Sequence, residues 1–78
     1  MNIDTLVRMA NDIGAFFAAE PNQDEAVRAV LGHLKRFWDP RMRTQIVEHY
    51  RSGAAGLSEL SRAAVALLAE DQVTTKNT

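Results

Sequence analysis

No cysteine occurs in the 78-residue chain, which excludes a disulfide framework and any thiolate metal site as the staple that so small a domain often needs. A run of about eighteen apolar residues is missing as well, so no span of a bilayer and no membrane partner is expected. Neither sign of charge is in surplus: nine Lys+Arg face ten Asp+Glu, a net charge of −1. That balance argues against a general polyanion binder resting on many phosphate contacts. The Met-Asn-Ile-Asp start lacks a basic region followed by an apolar one, so no secretory signal is read and the cytoplasm is the expected compartment. Gly-rich phosphate loops, nucleophile elbows and paired carboxylates are also absent, and catalysis within this chain is not expected.

What is present is helical periodicity. Ile3, Leu6, Val7, Ala10, Ile13, Gly14 and Phe17 follow one helix face and predict a helix over about 3–19. Met9 and Phe16 flank that stripe and widen the apolar arc to roughly half the circumference, more than one packing neighbour can cover. Asp4, Arg8 and Asp12 are expected on the solvated side. Pro21 closes this helix, and Asn22 with Glu25 reads as a capping box opening a second over about 23–38. Its stripe is Val27, Val30, Leu31, Leu34, Phe37 and Trp38. Gly32 inside it costs about 1 kcal/mol relative to alanine, and close approach by another backbone is one possible compensation.

Asp39-Pro40 starts a third helix over about 40–52, with Asp39 as cap, Pro40 in the first turn and Gly53 as terminator. Its apolar set is Met42, Ile46, Val47 and Tyr50, and Arg43 falls inside that arc. After the short connection Gly53-Ala54-Ala55-Gly56, Ser58 caps a fourth helix over about 58–70, striped by Leu57, Leu60, Ala64, Leu67 and Leu68. The connection allows this helix to pack on the other three or to lie along a partner. The expected fold is thus all-α, a small bundle of three to four short helices in one domain over 1–70, with a frayed, flexible tail over 71–78.

Charge is uneven along the chain: residues 1–34 carry two bases and five acids, residues 35–51 five bases and two acids. The basic middle, spanning a helix, a tight turn and a helix, admits a helix-turn-helix nucleic-acid binder presenting Arg41, Thr44, Gln45 and Arg51 as the alternative reading; the acidic first helix opposes it. His33 and His49 lack metal-ligand spacing, and no metal, cofactor or catalytic residue is assigned. Anchor types that interfaces favour cluster at Trp38, Met42, Arg43 and Tyr50. Trp38 is read as closing the core with one edge and meeting a partner with the other. Arg43 either snorkels outward or is held between Asp39, Tyr50 and a partner carboxylate. A self-associating bundle is a third possibility.

The stretches Leu6-Val7-Arg8-Met9-Ala10-Asn11-Asp12-Ile13, Phe16-Phe17, Ala26-Val27, His33-Leu34 and Phe37-Trp38-Asp39-Pro40-Arg41-Met42-Arg43, with Gly53 to Leu57 and Ala63-Ala64-Val65-Ala66, carry a resemblance. Over about residues 3–68 the chain resembles the small delta subunit of cytoplasmic NAD-dependent formate dehydrogenases. The resemblance implies an accessory, non-catalytic subunit of an oxidoreductase complex. Its partners would be the catalytic large subunit, with molybdenum on two pterin guanine dinucleotides and iron–sulfur clusters, and further subunits handling FMN and NAD. It implies a role in assembly, stability or molybdenum-cofactor loading of the large subunit and no nucleic-acid partner. Met9, Phe16, Phe37, Trp38, Asp39, Arg41, Met42, Arg43 and Tyr50 are the expected protein-interaction residues.

Overall fold

A computed structural model describes the backbone of residues 2–76 and the side chains of residues 2–72. Among the described residues the chain forms helices α1 (Ile3–Phe17), α2 (Gln23–Phe37), α3 (Pro40–Arg51) and α4 (Glu59–Lys76), and no strand. The starts are capped by polar side chains: Asn2 accepts from the Asp4 amide at 2.7 Å, Asn22 from Glu25 at 3.1 Å and Asp39 from Met42 at 2.9 Å. The capping box at Asn22 is half made, because the Asn22 amide donates to Glu20 Oε1 at 3.3 Å rather than to Glu25.

Two helix ends differ from those expected. α1 stops at Phe17 instead of Ala19: the Ala18 and Glu20 amides already turn back onto the Ala15 and Phe17 carbonyls at 3.3 and 3.1 Å. α4 does not stop near Glu70 but continues to Lys76; no glycine or proline interrupts it, and Asp71 on its added turn forms an ion pair with Lys35 of α2. The frayed tail expected over 71–78 falls, for the side chains from 73 on, outside the described residues.

α4 packs on the bundle, the question the Gly53–Gly56 connection left open. Both α1 and α4 touch the three other helices, whereas α2 and α3 meet only weakly at their shared corner. Leu6, Val30, Leu34, Ile46, Val47 and Val65 are fully buried between them, each contributing roughly 1.5–3 kcal/mol of hydrophobic stabilisation. The buried face of α4 is Ser61, Ala64, Val65, Leu68 and Ala69, while Leu67 turns to solvent. The leucine-rich stripe expected there is therefore rotated towards smaller residues.

Small residues let α4 cross α1 closely. The Ser61 hydroxyl donates to the Ala10 carbonyl at 2.8 Å and accepts from the Ser58 hydroxyl at 2.9 Å, so the one buried polar side chain among the described residues is satisfied. A Cβ added at Gly14 would stand 2.7 Å from Ser61 Oγ. Gly32, for which close approach by another backbone was one possible compensation, has nothing within 4 Å of its missing Cβ. The close crossing uses Gly14, and Gly32 has no neighbour to accommodate.

The α3–α4 connection is not a loose hinge. Asn11 of α1 donates to the Gly56 carbonyl and accepts from the Ser58 amide, both at 2.8 Å. His49 of α3 donates from Nε2 to the Ala55 carbonyl at 2.7 Å. Gly53 ends α3 at φ 123°, and Ala54 is held in the left-handed region at φ 59°, buried, with its amide on the His49 carbonyl at 3.0 Å.

The two helical glycines separate cleanly in their expected effects. Gly14→Ala forces the Ser61 hydroxyl off its carbonyl and lowers unfolding free energy by about 1–3 kcal/mol. Gly32→Ala raises it by up to about 1 kcal/mol by restricting the unfolded chain and favouring the helix. Urea unfolding of the two variants checks both; a Gly14→Ala protein as stable as wild type would contradict the close crossing.

Candidate docking surface

Burial of α1 is one-sided. Leu6, Ala10 and Gly14 are covered, and the adjoining flank of Met9, Ile13 and Phe16, spaced four and three residues apart, is not fully claimed. Phe16 is 77% exposed, and its ring meets Phe17 edge-on with centroids 5.0 Å apart. Asp12, Ile13, Phe16 and Phe17 of α1 and His33 of α2 line an open groove of about 300 Å³. On α2, one turn beyond His33, Phe37 is 69% exposed, with its ring centroid 4.7 Å from the His33 imidazole. An apolar surface thus runs from Phe16 across Ile13, Phe17 and His33 to Phe37.

The nine expected interaction residues part company here. Phe16 and Phe37 lie on this surface, and Met9 is half-buried on its α1 flank, packed partly against the core. Trp38 is only 4% exposed and belongs to the core, so no edge of its indole is left for a partner. Met42 and Tyr50 are half-buried against that same core. Asp39 is the cap of α3, and Arg41 is exposed.

Arg43, half-buried, reaches back across the corner: its Nη1 donates to the Lys35 carbonyl in the last turn of α2 at 3.5 Å. A cation beside the free carbonyls at a helix C-terminus is favoured by the helix dipole. Arg43 also lines a second, wider groove of about 550 Å³ with Lys35, Pro40, Thr44, Leu68 and Asp71. That groove lies on the other flank of α2, because Lys35 and Phe37, two residues apart, point about 200° from each other.

Ile13, Phe17 and His33 complete the surface and were missing from the expected set. Their signal was in the sequence: His33 stands four residues before Phe37, and Ile13 four after Met9. Of the residues a helix-turn-helix would aim at DNA, Arg41, Thr44 and Arg51 are exposed and Gln45 is half-buried. No group of three or more His, Cys, Asp or Glu side chains that could hold a metal occurs among the described residues. No helix among them is long and apolar enough to cross a membrane.

Neighbouring aromatics give the placement a sharp test. Trp38→Ala is expected to cost about 3–5 kcal/mol, the range for truncating a large aromatic in a core, whereas Phe37→Ser and Phe16→Ser should each change stability by less than about 0.5 kcal/mol. Chemical denaturation monitored by circular dichroism measures all three, and comparable losses at Phe37 and Trp38 would contradict the division between surface and core.

No curated protein and no solved structure matches the chain. A family model described as "NADH-dependant formate dehydrogenase delta subunit FdsD" does, over residues 5–65, which takes in α1 from Thr5 on, α2, α3 and the first turns of α4. The aromatic surface, the Asp39-Pro40 corner and the Asn11 tie all lie inside the matched span, and the chain belongs to the family of formate dehydrogenase delta subunits.

Proposed function

We propose that this chain is a non-catalytic subunit that docks onto the molybdenum-containing catalytic subunit of a formate dehydrogenase and supports its assembly, stability or cofactor loading. The observation that carries the docking role is the pair of phenylalanines, Phe16 and Phe37, each more than two-thirds exposed, Phe16 lining an apolar groove and Phe37 packed on His33 at its edge. Each leaves roughly 1.5–3 kcal/mol of hydrophobic stabilisation unclaimed in the isolated chain. Burying both at an interface recovers it, and aromatics are the residue types that anchor such interfaces. Membership of the formate dehydrogenase delta-subunit family supports a partner among the other subunits of such a complex.

In this role the chain contributes no ligand to the redox centres. Molybdenum with its two pterin guanine dinucleotides, the iron–sulfur clusters and FMN belong to other subunits, in keeping with a sequence that has no thiolate to offer a cluster. Formate oxidation and NAD reduction are then the work of those subunits, in the cytoplasm. The groove lies against helices whose positions are fixed by the core, so the surface is pre-formed and little ordering cost falls on association.

Co-purification tests the proposal. With the catalytic subunit tagged, wild-type chain is expected to be retained, and Phe16→Ser/Phe37→Ser chain to be lost although it folds. Molybdenum content of the catalytic subunit, measured by elemental analysis, is expected to fall with the double variant. Full retention of the folded double variant would remove this surface from the interface; normal molybdenum content in the absence of the chain would exclude cofactor loading and leave stabilisation.

A further inference from the structure

Arg43 differs from the other arginines of the chain in how far the fold takes it out of water. Arg8, Arg28, Arg36, Arg41, Arg51 and Arg62 are exposed, and Arg43 is half-buried. Removing a cation from water costs free energy unless a counter-charge or a full set of hydrogen bonds takes the place of the water. Within the described residues Arg43 has neither. Its contact is the 3.5 Å bond from Nη1 to the Lys35 carbonyl, which engages one N–H of a group that carries five. It forms no ion pair among the described residues. The two carboxylates placed to supply one are committed elsewhere. Asp39, one turn earlier on α3, accepts from the Met42 amide, and Asp71 pairs with Lys35.

The groove beside Arg43 has room for the missing counter-charge. Lys35 of α2, Arg43 and Thr44 of α3 and Leu68 and Asp71 of α4 line its space of about 550 Å³. Lys35 and Asp71 offset each other, so the lining keeps one positive charge, that of Arg43. One uncompensated cation suits one carboxylate. A nucleic-acid backbone presents a row of phosphates and needs a row of bases to meet it, and Asp71 opposes it here. A free small anion gains little in a groove open to water, where salt screens the charge. A carboxylate carried by a protein that covers the groove is shielded from water together with the guanidinium, and charge-assisted pairs of this kind are the strong ones. Arg43 has given up part of its water in the free chain already, so part of the desolvation cost precedes association.

We infer that the groove between α2, α3 and α4 receives an aspartate or glutamate side chain of another subunit, held by the guanidinium of Arg43. This rests on the docking role proposed above and adds to it a second contact, on the opposite flank of α2 from Phe37. The N–H groups that Arg43 does not spend on Lys35 suffice for both oxygens of a carboxylate. Asp71 works against the contact, since its carboxylate lines the same groove.

Titration of the complex of the other subunits, purified without this chain, tests the contact at low and at high salt. Arg43→Gln is expected to weaken binding about tenfold at low salt and much less at high salt. Arg43→Lys keeps the charge and a donor for the Lys35 carbonyl, and is expected to bind between the two. Asp71→Asn frees Lys35 and removes the opposing charge, and should tighten binding about threefold at low salt. That gain separates contact from architecture: Arg43 also holds the end of α2, but removing the Lys35–Asp71 ion pair adds nothing to the fold. Equal loss with Arg43→Gln at both salt levels, and no gain with Asp71→Asn, would reduce Arg43 to a tie within the chain and overturn the inference. Wild-type affinity for all three variants, with Phe16→Ser/Phe37→Ser impaired, would overturn it too and leave the aromatic surface standing. No binding by wild type would overturn the docking role and this contact with it. Salt-dependent binding of duplex DNA that Arg43→Gln abolishes, with affinity for the subunit complex unchanged, would make the occupant a phosphate and overturn the assignment.

Discussion

The hydrogen bond from the Ser61 hydroxyl to the Ala10 carbonyl, 2.8 Å long, fixes how close α4 comes to α1, and most of the bundle follows from that distance. A hydroxyl buried without a partner costs on the order of 1–3 kcal/mol, so α4 is stable only where Ser61 reaches that carbonyl. Reaching it brings Ser61 Oγ within 2.7 Å of where a Cβ at position 14 would stand, and only glycine leaves room. Once seated, α4 presents Val65 and Leu68 to the core shared with α2 and α3. Asn11 secures the same arrangement from one turn earlier on α1, holding the Gly56 carbonyl and the Ser58 amide where α4 begins. One helix therefore carries three adjacent instructions for another: Ala10 accepts, Asn11 caps and Gly14 yields space.

This close crossing also decides what α1 leaves uncovered. An apolar arc of half the circumference needs two neighbours side by side, yet a close helix pair covers a narrow strip. With α4 drawn over Ala10 and Gly14, the flank through Ile13 and Phe16 extends past the reach of α2 and stays open. A domain of 78 residues has little core to spare, because small chains bury a smaller fraction of their surface. Two large aromatics left outside such a core are therefore a significant share of its hydrophobic surface, and a partner that covers them adds directly to the stability of the folded state.

Local signals were legible in the sequence, and facing was not. Asp39-Pro40 gave the start of α3, Asn22 that of α2, Ser58 the N-cap of α4 and Gly53 the end of α3, because capping and proline act within a few residues. Apolar spacing gave four helices and an all-α class. Gly14 stood on the apolar stripe of α1 and Gly32 off that of α2, but which element meets Gly14 could not be read this way, because the crossing of α1 with α4 joins residues remote in sequence. Phe37 and Trp38 were placed on one stripe, but the 100° between them puts Trp38 in the core and leaves Phe37 exposed beside His33. At the edge of a stripe, burial depends on whether a neighbour happens to lie there, and that is a tertiary fact. The late end of α4 belongs with these, since the Lys35–Asp71 ion pair that reaches its added turn joins residues from separate helices.

The Phe37 to Arg43 segment shows how a specific signature can be mostly architecture. Trp38 fills the core, Asp39 caps α3, Pro40 sets its first turn, Met42 packs against the core and Arg43 ties α3 to the carbonyl end of α2. Five of the seven residues thus have a partner inside the chain, and a substitution at any of them acts first on the corner and only through it on a surface. Phe37 and Arg41, both exposed, have no part in that corner, and of these Phe37 touches the groove through His33. The corner positions Phe37 by stopping α2 one residue later, so its ring stays in helical register beside His33 while the backbone turns away at Trp38. An impaired complex with an Arg43 or Trp38 variant would therefore say little about contact, since both residues hold the helix end that presents Phe37; loss of binding in a folded Phe37 variant speaks to the contact itself.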